Sequence, residues 1–184
     1  PRLNQTFVHV AAGQDELARV YEPTLAINSG MVNFAAALSA MKPAAAPRWS
    51  DWTRAARADH EDNSKLPAMK GDVDIGAIVQ WLAATLPEDA IIANGAGNYT
   101  NWVHRFYPYR RFATQLAPQS GAMGYGVPAA VAAQIVHPDR VVVSFNGDGC
   151  FLMCGQDLAP ARQYDLPIVF IVVNNGTYGT IRMH

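Results

Sequence analysis

The sequence predicts an α/β fold with a parallel sheet covered by helices on both faces, and three observations carry that expectation. Apolar runs such as "VVVSF" (141–145) and "IVFIVV" (168–173) are continuous, not alternating, as strands buried on both faces are. Segments of strand and helix character alternate along the chain, the pattern of parallel strands joined by helical crossovers. With 184 residues, 50% of them apolar, the chain can bury a core of the size such a layered sheet needs.

Taken in order, "FVHV" (7–10), "DELARVY" (15–21), "TLAIN" (24–28) and "GMVNFAAALSAM" (30–41) read as strand, helix, strand and helix, a βαβα unit over residues 1–42. Between 43 and 71 the chain mixes Pro, Ala and charge, with one amphipathic stretch near Trp49 to His60, and reads as an interdomain connection. A second domain, 72–184, opens with a helix at 74–86 that leads into the strand "AIIAN" and the turn "GAGN". A helix around Tyr99 to Phe106, a short strand near Phe112 to Leu116 and a small-residue helix "GAMGYGVPAAVAAQIV", stopped by His137-Pro138, follow. Strand, turn, helix and strand occupy Val141 to Val173, the helix starting near Phe151. Pro160 falls inside that helix, where a proline costs about 3 kcal/mol, so a kink or a delayed start is expected.

Composition excludes several function classes. Fourteen basic and fifteen acidic residues give a formal charge of −1, which supplies no basic field for nucleic acid or an anionic membrane. No apolar run approaches the roughly 18 residues of a membrane span, and "PRLNQTF" lacks a signal peptide's layout, so a cytoplasmic location is the default expectation. Cys150 and Cys154 lack the further ligands of a structural zinc site and read as buried, inert thiols.

The informative stretch is "VVVSFNGDGC" (141–150), an apolar strand ending in Asp148 between Gly147 and Gly149. A parallel crossover delivers the loops of both its strands to one sheet edge, so Asp148 and Asn175 meet if their strands are neighbours. Glycines let the backbone turn sharply and approach a ligand, and amide donors of the following helix invite an anion. A carboxylate alone would repel phosphate; a divalent cation between them removes the conflict. Asp148 would supply charge and Asn175 a neutral oxygen, with phosphate, carbonyl and water oxygens completing the octahedral shell of magnesium. Each residue also has an ordinary structural use: Asp148 as a helix cap, Asn174 and Asn175 as turn residues, Met123 as core, Asn98 and Tyr99 as a helix start. A dinucleotide fingerprint at "GAGNYT" is weak, since its sixth position is Thr100 and no acid lies near 115–120; Lys42, Lys65 and Lys70 all lie outside the glycine turns, so no phosphate loop of the lysine type exists.

"GDGCFLMCGQDLAPARQYDLPIVFIVVNN", GDG followed by a long spacer and NN, resembles the signature of thiamine diphosphate-dependent enzymes. "GAMGYGVPAA" upstream is similar to the matching element of the acetolactate synthase-like branch, and "FVHV" through "AAAL" looks like the end of that branch's middle domain. The resemblance implies a thiamine diphosphate-binding fold in which Asp148, Asn175 and the Thr177 carbonyl ligate Mg2+. It assigns the diphosphate to the Gly147–Cys150 turn, with amides at Gly149 and Cys150, helped by Asn98 and Tyr99. Met123 becomes the apolar wedge that bends the cofactor, with Gly121 and Met123 backbone groups on the aminopyrimidine. The implied chemistry is that of a lyase or transferase: decarboxylation or carboligation of a small-molecule 2-oxo acid, with the cofactor as electron sink.

The family's catalytic glutamate belongs to an N-terminal domain, and Glu16, Glu22, Glu61 and Glu88 do not fit that context. The sequence is therefore expected to be a fragment that is inactive alone, from a parent that is a homodimer or homotetramer with sites formed between subunits. Ala11, Ala12 and Gly30 stand where FAD-binding relatives place acids, which speaks against FAD, and His184 replaces a tryptophan of acetolactate synthases proper. Two other readings remain beside the enzyme: a noncatalytic homologue that keeps the cofactor-binding half as a scaffold, and, less well supported, an NAD-binding dehydrogenase domain.

Overall fold

Residues 4–43, 45, 47–69 and 71–183 are described by the computed structural model, so Lys70 and His184 of the sequence reading lie outside the described residues. The chain divides into two compact units, Pro1–Ala56 and Arg57–His184, with the division inside the stretch expected to connect two domains.

In the first unit two parallel strands, β1 (Val8–Ala11) and β2 (Leu25–Asn28), pair in register from Val8↔Leu25 to Ala11↔Asn28. Helix α1 (Met31–Ser39) follows. The helix expected over 15–21 is not formed: the segment holds one 3-10 turn, Gln14–Glu16, and then Ala18 at φ 61°, a left-handed conformation no helix continues through. Its side chains are largely exposed, so no buried apolar face offsets the cost of nucleating a helix. The amphipathic stretch of the connection is helical as α2 (Ser50–Asn63), with no buried residue.

The second unit is a four-stranded parallel sheet in the order β4-β3-β5-β6: β3 (Ile91–Asn94), β4 (Gln115–Leu116), β5 (Val142–Gly147) and β6 (Val169–Val173). Its two inner strands are buried at every residue, which is why their sequence is mostly apolar, with Ser144 and the asparagines near their carboxyl ends as the polar exceptions. Alternate side chains serve opposite faces. Ile92, Val143 and Phe145 pack against Val79 and Leu82 of α3 (Ile75–Thr85) and Val103 and Phe106 of α4 (Thr100–Phe106). Ile91, Ala93 and Val142 pack against Ala130 and Ala133 of α5 (Gly126–Val136). Helix α3 starts at Asp74, whose carboxylate accepts the Ala77 N–H at 3.0 Å.

Three sequence expectations shift here. The strand expected from Phe112 is only Gln115–Leu116. The helix expected from Gly121 begins at Gly126, because Gly121 and Gly124 take φ of 67° and 83° and break the first turn. The helix expected near Phe151 starts directly at Asp148 as α6 (Asp148–Cys154), passes through a 3-10 turn (Gly155–Asp157) and resumes as α7 (Leu158–Gln163). Pro160 sits in the first turn of α7, where its missing N–H has no helical partner to lose, so the interruption accommodates it. A last helix, α8 (Gly179–Met183), follows β6.

Candidate functional site

The connection leaving β3 runs to one side of the sheet, to β4, while β5 leads to the other side, to β6. At such a switch point the loops beyond the carboxyl ends diverge and open a crevice. A cleft lies there, lined by Ala96–Tyr99 after β3, Gly147–Cys150 after β5, Val173, Asn175 and Thr177–Ile181 after β6, and Met123. Strands β5 and β6 are parallel neighbours with Gly147 opposite Val173, so Asp148 and Asn175 each follow closely on paired residues.

Of the residues singled out by sequence, Asn98, Tyr99, Met123, Gly147, Asp148, Gly149, Cys150, Asn175 and Thr177 all line this cleft. Gly121 does not; it sits in the exposed turn before α5, with nothing within 4 Å of where a Cβ would stand. Among the described residues, Asp148 is the only acid in the lining, and no donor or cation partners its carboxylate. No group of three His, Cys, Asp or Glu forms a metal cluster among the described residues, so a cation at Asp148 would take its other ligands from neutral oxygens. Asn175 Oδ1 accepts the Thr177 N–H at 3.1 Å, and the Thr177 carbonyl accepts the Gly179 N–H at 2.9 Å. Each oxygen keeps a second lone pair.

The two glycines flanking Asp148 serve space, not conformation. Neither has positive φ. A Cβ at Gly147 would stand 3.0 Å from the Tyr99 ring, and one at Gly149 would meet the Met123 methyl at 3.2 Å. The absence of side chains thus lets Tyr99 pack under the turn and Met123 reach over it. Tyr99 is buried, which pushes its hydroxyl pKa up, an effect its hydrogen bond to Cys150 reinforces; the phenol stays neutral.

Three features were not legible in the sequence. Helix α8 contributes Gly179, Thr180 and Ile181 to the lining; its only advance signal was apolar Tyr178 and Ile181 just past the paired asparagines. Asn98 is engaged by it: Thr180 Oγ1 donates to Asn98 Oδ1 at 3.1 Å, and Asn98 Nδ2 donates to Met183 Sδ at 2.9 Å. The Cys150 thiol, read as inert, is hydrogen-bonded across the cleft floor to Ala96.

Residues 95–184 match the family model described as "Thiamine pyrophosphate enzyme, C-terminal TPP binding domain". This domain belongs to the thiamine diphosphate-dependent enzyme family. Within it, the chain lies on the acetolactate synthase-like branch: it is 29% identical over 180 residues to the acetolactate synthase isozyme 1 large subunit of Escherichia coli (strain K12), a match covering 97% of this chain and 32% of that protein. It is 41% identical over 104 residues to acetolactate synthase 3, chloroplastic, of Brassica napus, covering 56% of this chain and 16% of that one. A solved relative in the thiamine diphosphate family, the Rhodococcus jostii RHA1 thiamine diphosphate-dependent 4-hydroxybenzoylformate decarboxylase, superposes with a TM-score of 0.70 at 27% identity over 96% of this chain and 32% of its own. The chain therefore spans about a third of the length of its bacterial relatives. Among the described residues no helix is long and apolar enough to cross a membrane.

Proposed function

We propose that the cleft at the switch point holds the diphosphate of thiamine diphosphate through Mg2+, and that the chain is the cofactor-holding portion of an enzyme acting on 2-oxo acids. The observation that carries this reading is the unpartnered Asp148 carboxylate in a lining otherwise uncharged, of glycines, amide and hydroxyl groups and apolar side chains, at the edge where ligands of such sheets bind. In this reading Asp148, Asn175 Oδ1 and the Thr177 carbonyl hold the cation, the hard-oxygen set magnesium takes. Amides at Gly149 and Cys150, with Asn98 and Tyr99, would hold the diphosphate, and Met123 would give the rings an apolar support.

When bound, the cofactor supplies an electron sink for carbanion chemistry beside a carbonyl. The chain's own share is to hold and orient. The Asp148 charge would hold the cation, Met123 against Gly149 would offer an apolar support, and the buried, neutral Tyr99 packs against Gly147 and shapes the base of the turn. The parent's assembly as a homodimer or homotetramer belongs to the same proposal.

Calorimetric titration of the chain with thiamine diphosphate, with and without magnesium, tests the assignment. Expected is saturable binding that needs the metal and weakens at least about tenfold, or about 1.4 kcal/mol, in Asp148→Asn. Binding indifferent to magnesium chelation, or tight NADH binding without the metal, would remove the reading in favour of a dinucleotide site.

A further inference from the structure

Cys150 stands in the first turn of α6, 1% exposed, and its sulfur reaches a loop distant in sequence. The thiol donates to the Ala96 carbonyl at 2.9 Å, while Sγ accepts the Ala96 N–H at 3.3 Å and the Tyr99 hydroxyl at 3.7 Å. A single sulfur thus satisfies one acceptor and two donors of the β3–α4 loop. The packing is as close as the bonding: a Cβ at Gly95 would lie 2.8 Å from Sγ and 2.8 Å from the Tyr99 hydroxyl. Sulfur, phenol and bare glycine backbone fill one space.

This junction sits where the sheet itself stops holding the two loops together. The ladder joins Asn94 to Phe145, and the Gly95 N–H donates to the Phe145 carbonyl at 3.1 Å. Beyond that bond the chain divides, Ala96–Tyr99 toward α4 and Gly147–Cys150 into α6, and both segments line the cleft. Once backbone pairing ends, their separation depends on side chains that cross the gap. Cys150 crosses it with polar contacts; Tyr99 crosses it with its ring against Gly147.

We propose that the Cys150 thiol is a positioning residue that sets the distance between the Asn98–Tyr99 loop and the Gly147–Cys150 turn, and with it the grip on a diphosphate. The inference rests on the cofactor reading of this cleft and assigns the thiol a part in it that differs from the backbone amide of the same residue. The chemistry required is a small group, apolar in volume, that donates and accepts at once in a buried place. A serine hydroxyl offers the same two roles with a shorter reach. Valine fills the volume and offers neither role, leaving the Ala96 N–H and carbonyl without their partner. Cys154 provides the comparison within the same helix: it is also buried, but its thiol donates to the Cys150 carbonyl at 3.3 Å and makes no hydrogen bond to the Ala96–Tyr99 loop among the described residues.

The test uses the whole chain as Cys150→Val, Cys150→Ser, Cys150→Ala and Cys154→Ala, with two readouts. The first is amide hydrogen exchange at Ala96 in the absence of any ligand. The second is the affinity for thiamine diphosphate at saturating magnesium. In Cys150→Val and Cys150→Ala, Ala96 exchanges about tenfold faster and affinity falls about tenfold, whereas Cys150→Ser stays within about threefold of the parent in both. Cys154→Ala lowers the melting temperature and leaves both readouts unchanged, which separates positioning from a general loss of core. Should valine fail to fold, alanine carries the comparison. Unchanged Ala96 exchange in the valine or alanine variant overturns the proposal, as does unchanged affinity beside faster exchange. If the parent chain itself binds no thiamine diphosphate with magnesium, the reading of the cleft fails, and the exchange data still decide whether the thiol joins the loops.

Discussion

Gly126→Ala is the sharpest structural test of how α5 and the cleft are coupled. The helix starts at Gly126, whose φ is not positive, so alanine meets no backbone strain there and by helix propensity alone should stabilise by about 1 kcal/mol. Space decides otherwise. The new Cβ would stand 2.4 Å from Asn146 Oδ1, 2.8 Å from the Gly95 nitrogen and 3.0 Å from the Asn94 carbonyl carbon. Two of those atoms are backbone of the β3 end, and the third belongs to a side chain that is 0% exposed, so none can withdraw cheaply. Overpacking of this kind costs about 3 kcal/mol at its upper range, leaving a net loss of about 2 kcal/mol. For a chain of this size that is about 4–8 °C in the melting temperature of the second unit. Gly155→Ala is the control: its Cβ would make an ordinary 3.5 Å contact with Phe151, and its stability should stay within about 0.5 kcal/mol of the parent. Circular dichroism melts of the three proteins suffice. Gly126→Ala melting with the parent would refute the claim that α5 rests directly on the β3 and β5 ends.

Two further predictions concern single side-chain hydrogen bonds. The His104 imidazole bonds to Asn94 Oδ1 at 3.0 Å; since Asn94 Nδ2 donates to the Gly95 carbonyl, His104 is the donor through Nε2. Burial holds its pKa below the ordinary 6.5, so the unfolded chain takes up a proton that the folded chain refuses. Stability from this group is intact above 6.5 and declines as pH falls through that value, levelling below the folded pKa; melting temperature against pH should fall less steeply for His104→Gln, and identical slopes would count against it. Thr180→Val removes the hydroxyl that engages Asn98 Oδ1, so if Asn98 serves a diphosphate, affinity with magnesium should rise about threefold, and an unchanged affinity would separate Asn98 from the cofactor.

The sheet was legible in the sequence because burial on both faces leaves a one-dimensional trace. "AIIAN", "VVVSFNG" and "IVFIVV" mark strands whose observed ends lie within a residue or so of the apolar runs. Asp148 and the paired asparagines were visible for the same reason: each interrupts an apolar run at its carboxyl end. What escaped was tertiary. "DELARVY" has helical spacing but no core to pack on, and Ala18 turns the chain out of the helix; nothing local announces that. "GAMGYG" looked like the opening of α5, yet Gly121 and Gly124 spend it in left-handed turns, which carry Met123 out to Gly149. The bond between Cys150 and Ala96 joins residues 54 positions apart, and no pattern within either segment encodes it.

The buried polar residues make sense once the cleft is placed. Asn94, Ser144 and Asn146 are at most 1% exposed, in or near the last turns of the two innermost strands, beneath the diverging loops. Burying such groups costs free energy unless they are bonded, so an apolar choice would have served a purely structural sheet better. Their bonds go to the loop bases, to His104 and to one another: Asn94 Nδ2 to the Gly95 carbonyl with Asn94 Oδ1 accepting from His104, Ser144 Oγ to the Gly126 carbonyl, and Asn146 Nδ2 to Ser144 Oγ. Gly95 begins the Asn98 loop, Gly126 ends the Met123 segment, and Asn146 precedes Gly147 and Asp148. Three of the four parts of the chain that meet in the cleft are therefore fixed from below by one polar layer, the segment after β6 being the exception. Among the described residues Asn146 Oδ1 alone in that layer lacks a donor, and it faces Gly126, where any side chain would strike it. An incompletely bonded amide held that tightly is a stability cost borne at the one place where the geometry of the cleft is set.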